Sequence, residues 1–146
     1  MSTLKIINGF LLSQLPAGEN EFEKIYISLR KKEGRILNED LIAKLPIVPA
    51  GHPLYKEWKI RKRSSRKLLY HIRKSPQLSN ILEVGCGNGW LTALLATVAR
   101  GEVCGIDVNR IELRQARKIF SPGKRNLNFL YGDICSGILA EKKFDL

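Results

Sequence analysis

The sequence predicts an α/β fold whose core is a doubly wound parallel sheet, preceded by a helical N-terminal segment. From Asn80 onward, short apolar segments alternate with amphipathic helical segments, which is typical of parallel strands joined by right-handed crossovers. The 146 residues, 44 % hydrophobic and 27 % charged, have the composition of a soluble globular chain. We therefore divide the chain into a helical, basic segment, residues 1–79, and a partial α/β domain, residues 80–146.

The N-terminal segment begins with a predicted amphipathic helix. Asn20 is placed to cap a helix with acids in its first turn and lysines in its last, and Gly34 terminates it. Three residues at helical spacing predict its apolar face: Phe22, Ile25 and Leu29. A short helix capped by Asn38, over Glu39–Leu45, is expected to follow.

The next predicted helix, Pro53–Lys74, carries most of the net positive charge. Nine lysines and arginines stand against Glu57, which leaves +8 of the net +11 of the chain. An apolar stripe at helical spacing predicts the packed face: Tyr55, Trp58, Ser65, Leu69 and Ile72. The basic face could contact a phosphate backbone or be a solvated surface.

The second half supplies the sheet. Strands are predicted at Ile81–Val84, Val103–Ile106 and Leu127–Tyr131, with helices at Trp90–Val98 and Arg110–Phe120. Lys143–Leu146 has the pattern of an opening fourth strand. We therefore expect a sheet truncated after its third strand, in a fragment or an incompletely ordered chain.

The cysteines and the hydropathy pattern exclude several classes of protein. Cys86, Cys104 and Cys135 form no CxxC pair, and no histidine is near them, which disfavours a zinc site and a disulfide framework. The longest apolar stretch, Ile6–Ala17, is too short to span a membrane and fits a secretory signal poorly. We expect no metal, no membrane contact and a cytoplasmic protein with reduced thiols.

A glycine-rich loop follows the first predicted strand of the α/β domain. Gly85, Gly87 and Gly89 alternate between this strand and the next helix, where glycine allows a sharp turn and a close approach of ligand to backbone. A dinucleotide-binding fingerprint needs its third glycine at position 90, which is Trp90. No Gly-Lys-Ser or Gly-Lys-Thr follows to make a P-loop, and the motif has no arginine fork for a pyrophosphate.

The loop resembles the first motif of class I S-adenosylmethionine-dependent methyltransferases, an acid followed by x-G-x-G-x-G. Three further segments are similar to the second, third and fourth motifs of this family, in order: Gly105–Val108, Phe129–Ile134 and Lys143–Leu146. The resemblance covers residues 80–146 and implies a Rossmann-like methyltransferase domain with S-adenosyl-L-methionine as cofactor.

The resemblance also implies roles for individual residues. Glu83 would hold the loop near the methionine ammonium, Asp107 would bind the ribose hydroxyls, and Asp133 with Ile134 would contact adenine. The full set of implied cofactor-binding residues is Glu83, Gly85, Cys86, Gly87, Gly89, Asp107, Val108, Asp133 and Ile134. The sequence nominates no catalytic residue, because acceptor-side residues in this family come mostly from the fourth motif onward and from the N-terminal segment.

Structural alternatives stand beside these assignments. Asp107 could be an ordinary helix cap and Asp133 a turn residue, and Cys86 and Cys104 are better explained as small buried side chains than as nucleophiles. For function, we expect methyl transfer to a small-molecule acceptor, with nucleic acid a less favoured partner. The alternatives are a tRNA or rRNA methyltransferase that uses the basic helix, and a non-catalytic S-adenosylmethionine-binding module.

Overall fold

The computed structural model describes residues 5–7, 10–12, 21–137, 139 and 141–146. It contains five strands: β1 (Lys5–Ile7), β2 (Phe10–Leu12), β3 (Ile81–Val84), β4 (Val103–Asp107) and β5 (Leu127–Tyr131). The helices are α1 (Glu21–Lys32), α2 (Glu39–Ile42), α3 (Tyr55–Lys74), α4 (Trp90–Leu95) and α5 (Arg110–Phe120), and a 3₁₀ turn covers Ile134–Ser136. No helix in these residues is long and apolar enough to cross a membrane.

The strands form one sheet in the order β1-β2-β5-β4-β3. Strands β3, β4 and β5 are parallel and in register, so that Val84 pairs with Ile106, and Asp107 pairs with Tyr131. Helices α4 and α5 connect them, as the alternating sequence pattern predicts. The α/β fold class with a parallel sheet of the Rossmann type is confirmed.

Strands β1 and β2 are absent from the sequence prediction. They form an antiparallel pair, and β2 lies parallel to β5. The N-terminal segment is therefore helical with an added strand pair at the sheet edge. The domain boundary at residue 80 stays a prediction, and the capping role predicted for Asn20 lies outside the described residues.

Helices α3, α4 and α5 pack on one face of the sheet. Alternate residues of β5 point to this face, where Phe129 packs with Leu113 of α5, and Ile72 of α3 packs with Val103 of β4. The opposite face carries Cys104, Ile106 and Leu130, which pack with Leu139 and Phe144. Burial of the aliphatic side chains at the centre of this sheet supplies the main favourable free energy of folding.

The free edge of β3 meets the last residues of the chain. The backbone N–H of Leu82 donates to the carbonyl of Leu146 at 2.8 Å, and the N–H of Asp145 donates to Asn80 at 2.8 Å. The Asp145 carboxylate also accepts from the N–H groups of Ser79 and Asn80. No strand is assigned to residues 143–146, but these bonds lie where the predicted fourth strand would pair.

Helix boundaries agree with the sequence, except that α3 begins at Tyr55 instead of Pro53 and that tight turns replace the last residues of α4 and α2. Helix α4 ends at Leu95 instead of Val98, because the N–H groups of Thr97 and Val98 bond to carbonyls three residues earlier. Helix α2 ends at Ile42 instead of Leu45 for the same reason. The predicted cap holds, since the Asn38 side chain accepts from the N–H of Leu41 at 2.9 Å.

The predicted packing face of α1 is wrong. Phe22, Ile25 and Leu29 are 64, 63 and 50 % exposed, while Glu23 is fully buried and Ile27 nearly so. Glu23 pairs with Arg110 of α5, and these charge-assisted bonds orient α1 with its polar face toward the sheet. Apolar spacing identified residues that share a face, but long-range ion pairs decided which face docks.

Candidate functional site

A cleft of about 220 Å³ opens at the carboxyl ends of β3 and β4, where parallel α/β sheets bind ligands. One wall is the glycine loop with the start of α4. The other wall comes from α1, α3 and the loop after α1. The lining residues are Tyr26, Arg30, Arg35, Leu37, Leu54, Glu57, Trp58, Arg61, Glu83, Gly85, Cys86, Gly87, Asn88, Trp90, Leu91, Asp107 and Glu112.

The three glycines of the loop all have positive φ, which L side chains rarely adopt. At Gly85 (φ 73°) a Cβ would meet nothing within 4 Å, so this stretch of backbone faces open space. At Gly89 (φ 74°) a Cβ would lie 2.5 Å from the Phe129 ring and 2.7 Å from Ala116. Gly85 therefore leaves room for a ligand, and Gly89 brings the start of α4 close to the sheet and α5.

Asp107 joins this loop to the neighbouring strand. One carboxylate oxygen accepts from the N–H of Gly87 at 2.7 Å, and the other accepts from the N–H of Asn109 at 2.7 Å. The cap of α5 is Asn109, whose side chain accepts from Ile111 and Glu112. Asp107 is therefore not the ordinary helix cap of the alternative interpretation, and it lies, 7 % exposed, at the cleft.

Glu83, at the end of β3, lies under the loop. Its carboxylate accepts from the Thr92 hydroxyl of α4 at 2.5 Å, which ties the strand to the helix across the glycines. Burial raises the pKa of Glu83 to about 7, and the nearby charge of Asp107 adds to the rise. A cation in the cleft would favour the ionised form of this carboxyl.

Glu112 is a third carboxylate at the loop that the sequence analysis did not single out. It is 1 % exposed, and its oxygens lie 3.5 and 3.6 Å from the position of a Cβ on Gly87. Arg30 of α1 donates to it at 3.0 Å, and Asn109 donates at 2.7 Å. Burial raises the pKa of Glu112, against the opposing effect of Arg30.

Helix α1 is clamped beside the cleft by a second buried cluster. Arg110 donates two hydrogen bonds to Glu23, at 2.6 and 2.8 Å, and the Tyr131 hydroxyl donates to Glu23 at 2.7 Å. Burial alone would raise the pKa of Glu23, but the bonds from Arg110 and Tyr131 outweigh it and hold that pKa below its ordinary value. This cluster places Tyr26 and Arg30, three and seven residues later, at the cleft.

Helix α3 supplies the aromatic part of the wall. The Trp58 ring packs edge-on against Trp90 with centroids 5.1 Å apart, and the Arg61 guanidinium lies 5.2 Å above Trp58. Trp90 occupies the position where a dinucleotide fingerprint has its third glycine. Its side chain is the reason that α3 contacts the loop.

The arginines of the cleft all come from the N-terminal segment. Arg30, Arg35 and Arg61 line it, whereas the glycine motif contributes none. Two buried donors of the same wall, Nε of Arg30 and Nε1 of Trp58, have no hydrogen-bond partner among the described residues. Unpaired buried donors cost free energy. The apolar stripe of α3 predicted that Trp58 packs, but no sequence pattern marked the three arginines, because their positions depend on how α1 and α3 dock.

The predicted site residues divide into two groups. Glu83, Gly85, Cys86, Gly87 and Asp107 line the cleft. Gly89 caps α4 behind it. The other three, Val108, Asp133 and Ile134, follow the ends of β4 and β5 and are not among its lining residues.

Asp133 lies in a turn, as the structural alternative to adenine binding predicts. It caps the 3₁₀ turn by accepting from the N–H of Cys135 at 2.8 Å. Its strand is nevertheless next to the site, since the N–H of Gly132 donates to the carbonyl of Asp107.

The cysteine and metal chemistry of the site is limited. Burial raises the pKa of the Cys86 thiol well above its ordinary value, which keeps it a neutral thiol. All three cysteines are free, and Cys86 and Cys104 are buried. Within the described part of the chain, no group of three or more His, Cys, Asp or Glu side chains is arranged to hold a metal ion.

Comparison with known proteins identifies the domain that carries this cleft. Residues 81–146 match the family model of a methyltransferase domain. An O-methyltransferase of Pyrenophora dematioidea is 37 % identical over 87 residues, 57 % of this chain and 32 % of that protein. A protein-L-isoaspartate O-methyltransferase of Pyrococcus horikoshii is 31 % identical over 67 residues, 45 % of this chain and 30 % of that protein. The chain thus spans about a third of the length of these curated relatives.

Two solved structures are also similar to the chain. One is from Staphylococcus aureus and is named as a caffeoyl-CoA O-methyltransferase; it is 17 % identical with a TM-score of 0.47, over 81 % of this chain and 54 % of that one. The other, the plantazolicin methyltransferase BpumL in complex with SAH, is 15 % identical with a TM-score of 0.33, over 76 % of this chain and 42 % of that one. These TM-scores are too low to carry an argument.

The family match and the order of the elements agree. β3, the glycine loop, α4 and the acid Asp107 at the end of β4 follow one another as in the motifs of this family. Residues 81–146, a little under half of the chain, are therefore similar to a methyltransferase domain.

Proposed function

We propose that the cleft binds S-adenosylmethionine and that the intact protein transfers its methyl group to an acceptor of metabolite size. The observation that carries the proposal is the position of Asp107. It stands at the end of β4, bonded to the N–H groups of Gly87 and Asn109, and each of its carboxylate oxygens can accept a second hydrogen bond from a nucleoside sugar.

The chemistry of the two walls fits this cofactor. S-adenosylmethionine carries two positive groups, the sulfonium and the ammonium, and one carboxylate. The sheet side offers three carboxylates, Glu83, Asp107 and Glu112, and the helical side offers three arginines against one carboxylate, that of Glu57. The arginines of the helical side can bond to the carboxylate of the methionine group. Opposite charges on opposite walls would orient the ligand in one direction.

Individual residues then take distinct roles. Asp107 would hold the ribose, Glu83 the ammonium, and the backbone of Gly85 and Gly87 would line the ligand. Asp133 and Ile134 would contact adenine beyond the cleft, next to the end of β5, and Val108 would flank the ribose. When bound, the cofactor supplies an already activated methyl group, so the protein has mainly to align the acceptor and exclude water.

The cleft of about 220 Å³ is smaller than common ligand pockets of about 300–1,000 Å³, so its size sets no limit on the acceptor. We propose a small-molecule acceptor, or a metabolite-sized group carried on a larger molecule. The free cysteines support the proposed cytoplasmic location, where thiols stay reduced.

The proposal can be tested by tryptophan fluorescence, because the two tryptophans of the chain, Trp58 and Trp90, both line the cleft. Titration with S-adenosylmethionine or S-adenosylhomocysteine should change their emission and saturate. NAD, which the glycine spacing disfavours, serves as the control ligand and should have no saturable effect. Equal responses to all three ligands, or none, would remove the proposal.

Transfer is measured separately, as S-adenosylhomocysteine formed with panels of small-molecule acceptors. Turnover above the acceptor-free rate supports the enzyme. Saturable cofactor binding without turnover on any small-molecule or oligonucleotide acceptor favours the second candidate, a non-catalytic binding module.

A further inference from the structure

A second and larger concavity lies along the outer face of α3. It measures about 1000 Å³ and is bordered at one end by residues 46–48. We call it the α3 groove. Its described lining residues are Pro46, Ile47, Val48, Tyr55, Trp58, Lys59, Lys62, Arg63, Arg66, Lys67, Leu69, Tyr70 and Arg73.

The charge of the α3 groove has one sign. Six of the described lining residues are lysine or arginine, all exposed, and none of the described lining residues is acidic. None of these six cations forms a salt bridge with a described residue. Glu57, the acid of α3, faces the cleft and pairs there with Arg35 and Arg61. The groove is therefore left as an uncompensated cationic surface.

The length of the charged surface indicates a polymer. Lys59 and Arg73 are 14 residues apart on one helix, which corresponds to about 21 Å at ~1.5 Å per residue. A nucleic-acid strand advances about 3.4 Å per phosphate, so about six phosphates fit along that length. A single phosphorylated metabolite would reach only neighbouring cations and leave the others unpaired.

Aromatic side chains accompany the cations. Tyr70 is 65 % exposed, with the Lys74 ammonium 5.9 Å from its ring centroid, and Tyr55 lies at the other end of the groove. A cationic groove with aromatic rings along it is the combination that binds single strands, where phosphates pair with cations and bases stack on rings. An anionic lipid surface would use the cations but not the rings.

The α3 groove and the cofactor cleft share a wall. Trp58 lines both, so a strand in the groove runs past the helix that closes the cleft. We infer that the α3 groove binds single-stranded nucleic acid and that this strand carries the methyl acceptor group. The second half of the inference rests on the proposed function; the binding half does not.

Binding is tested by fluorescence anisotropy with labelled single-stranded oligouridylate at several salt concentrations. Wild type should bind with an affinity that falls steeply with salt. The double variant Lys62→Gln/Arg66→Gln should bind at least about tenfold more weakly, with a salt slope smaller by about 2. Glutamine keeps helix propensity close to that of lysine and arginine.

The matched control removes two exposed lysines outside the groove, as Lys24→Gln/Lys56→Gln. It has the same net charge as the groove variant and should bind like wild type. Equal losses in the two double variants would show attraction to net charge alone and overturn the inference. Failure of wild type to bind the strand, or equal competition by anionic vesicles, would also overturn it.

A variant of the exposed Tyr70 distinguishes a strand with bases from a polyanion without them. Tyr70→Leu should weaken oligouridylate binding by roughly fivefold or more, since stacking is lost, and leave heparin, a polyanion without bases, unaffected. Unchanged oligouridylate affinity would overturn nucleic acid as the occupant.

Parallel titration with S-adenosylmethionine separates the proposals, because strand binding without cofactor binding overturns the proposed function and leaves the groove assignment in place. A matching deoxyoligonucleotide then distinguishes RNA from DNA.

Discussion

The two walls of the cleft differ in charge and in how the sequence encodes them. The sheet wall contributes Glu83 and Asp107 near the ends of β3 and β4, where a local motif can be read from consecutive residues, and Glu112 from the first turn of α5. The helical wall contributes arginines and aromatic rings from α1 and α3, more than 20 positions before the glycine loop. The residues proposed to bind the cofactor are therefore set by local sequence, whereas closure of the cleft by the helical wall depends on ion pairs between residues far apart in the chain.

The strongest test of this difference breaks the clamp that holds α1. Arg110→Leu leaves the fully buried Glu23 without its cation, and removing one partner of a buried pair costs about 3–5 kcal/mol. Urea unfolding should show that loss. The matched control is Lys118→Leu on the same helix, whose pair with Glu39 is exposed and should cost no more than about 1 kcal/mol. Similar costs for both variants would mean that the clamp does not hold α1.

A smaller effect is expected from the glycines of the sheet wall. Gly89→Ala combines a left-handed backbone with a Cβ 2.5 Å from Phe129, and should cost about 2–4 kcal/mol of unfolding free energy. Gly85→Ala has the same backbone conformation with open space around its Cβ. It should cost only about 1–2 kcal/mol while blocking the approach of the cofactor. Unfolding and cofactor titration together check the pair, and equal stability losses would contradict the packing role of Gly89.

The sheet wall could be predicted from sequence because the patterns that form its strands and glycine loop involve residues close together in the chain. The observed bounds of β3, β5 and α5 equal the predicted ones, and Asp107 ends its strand beside the loop. The helical wall could not be predicted. Apolar periodicity placed Phe22, Ile25 and Leu29 on one face of α1 but could not reveal that Glu23 meets Arg110, 87 positions later.

Two other features escaped prediction for similar reasons. Strands β1 and β2 are three residues each, too short for a periodic pattern, and are defined by the pairing of β1 with β2 and of β2 with β5. Glu112 looked like an ordinary first-turn acid of α5, and only the docking of Arg30 and the approach of Gly87 place it in the cleft.

A smaller effect still is expected from pH. The pKa of Glu83 is about 7, above its ordinary value. The protonated carboxyl therefore contributes fully to the free energy of unfolding only at pH values below the ordinary pKa, and that contribution is lost as pH rises through 7. Cofactor affinity should run the other way, because a cationic ligand needs the ionised form. Calorimetry should show binding that strengthens up to about tenfold from pH 6 to pH 8. Glu83→Gln should abolish the slope; a slope retained in that variant would contradict the assignment.

The most direct measurement is a cycle on Asp107 with two ligands. Calorimetry compares S-adenosylhomocysteine with its 2′-deoxy analogue on wild type and on Asp107→Ala, after thermal unfolding has confirmed that the variant is folded. Wild type should bind the analogue more weakly and Asp107→Ala should bind the parent ligand about 5- to 150-fold more weakly, corresponding to ~1–3 kcal/mol. The variant should not distinguish the two ligands. Equal affinity of wild type and Asp107→Ala for S-adenosylhomocysteine would contradict the account.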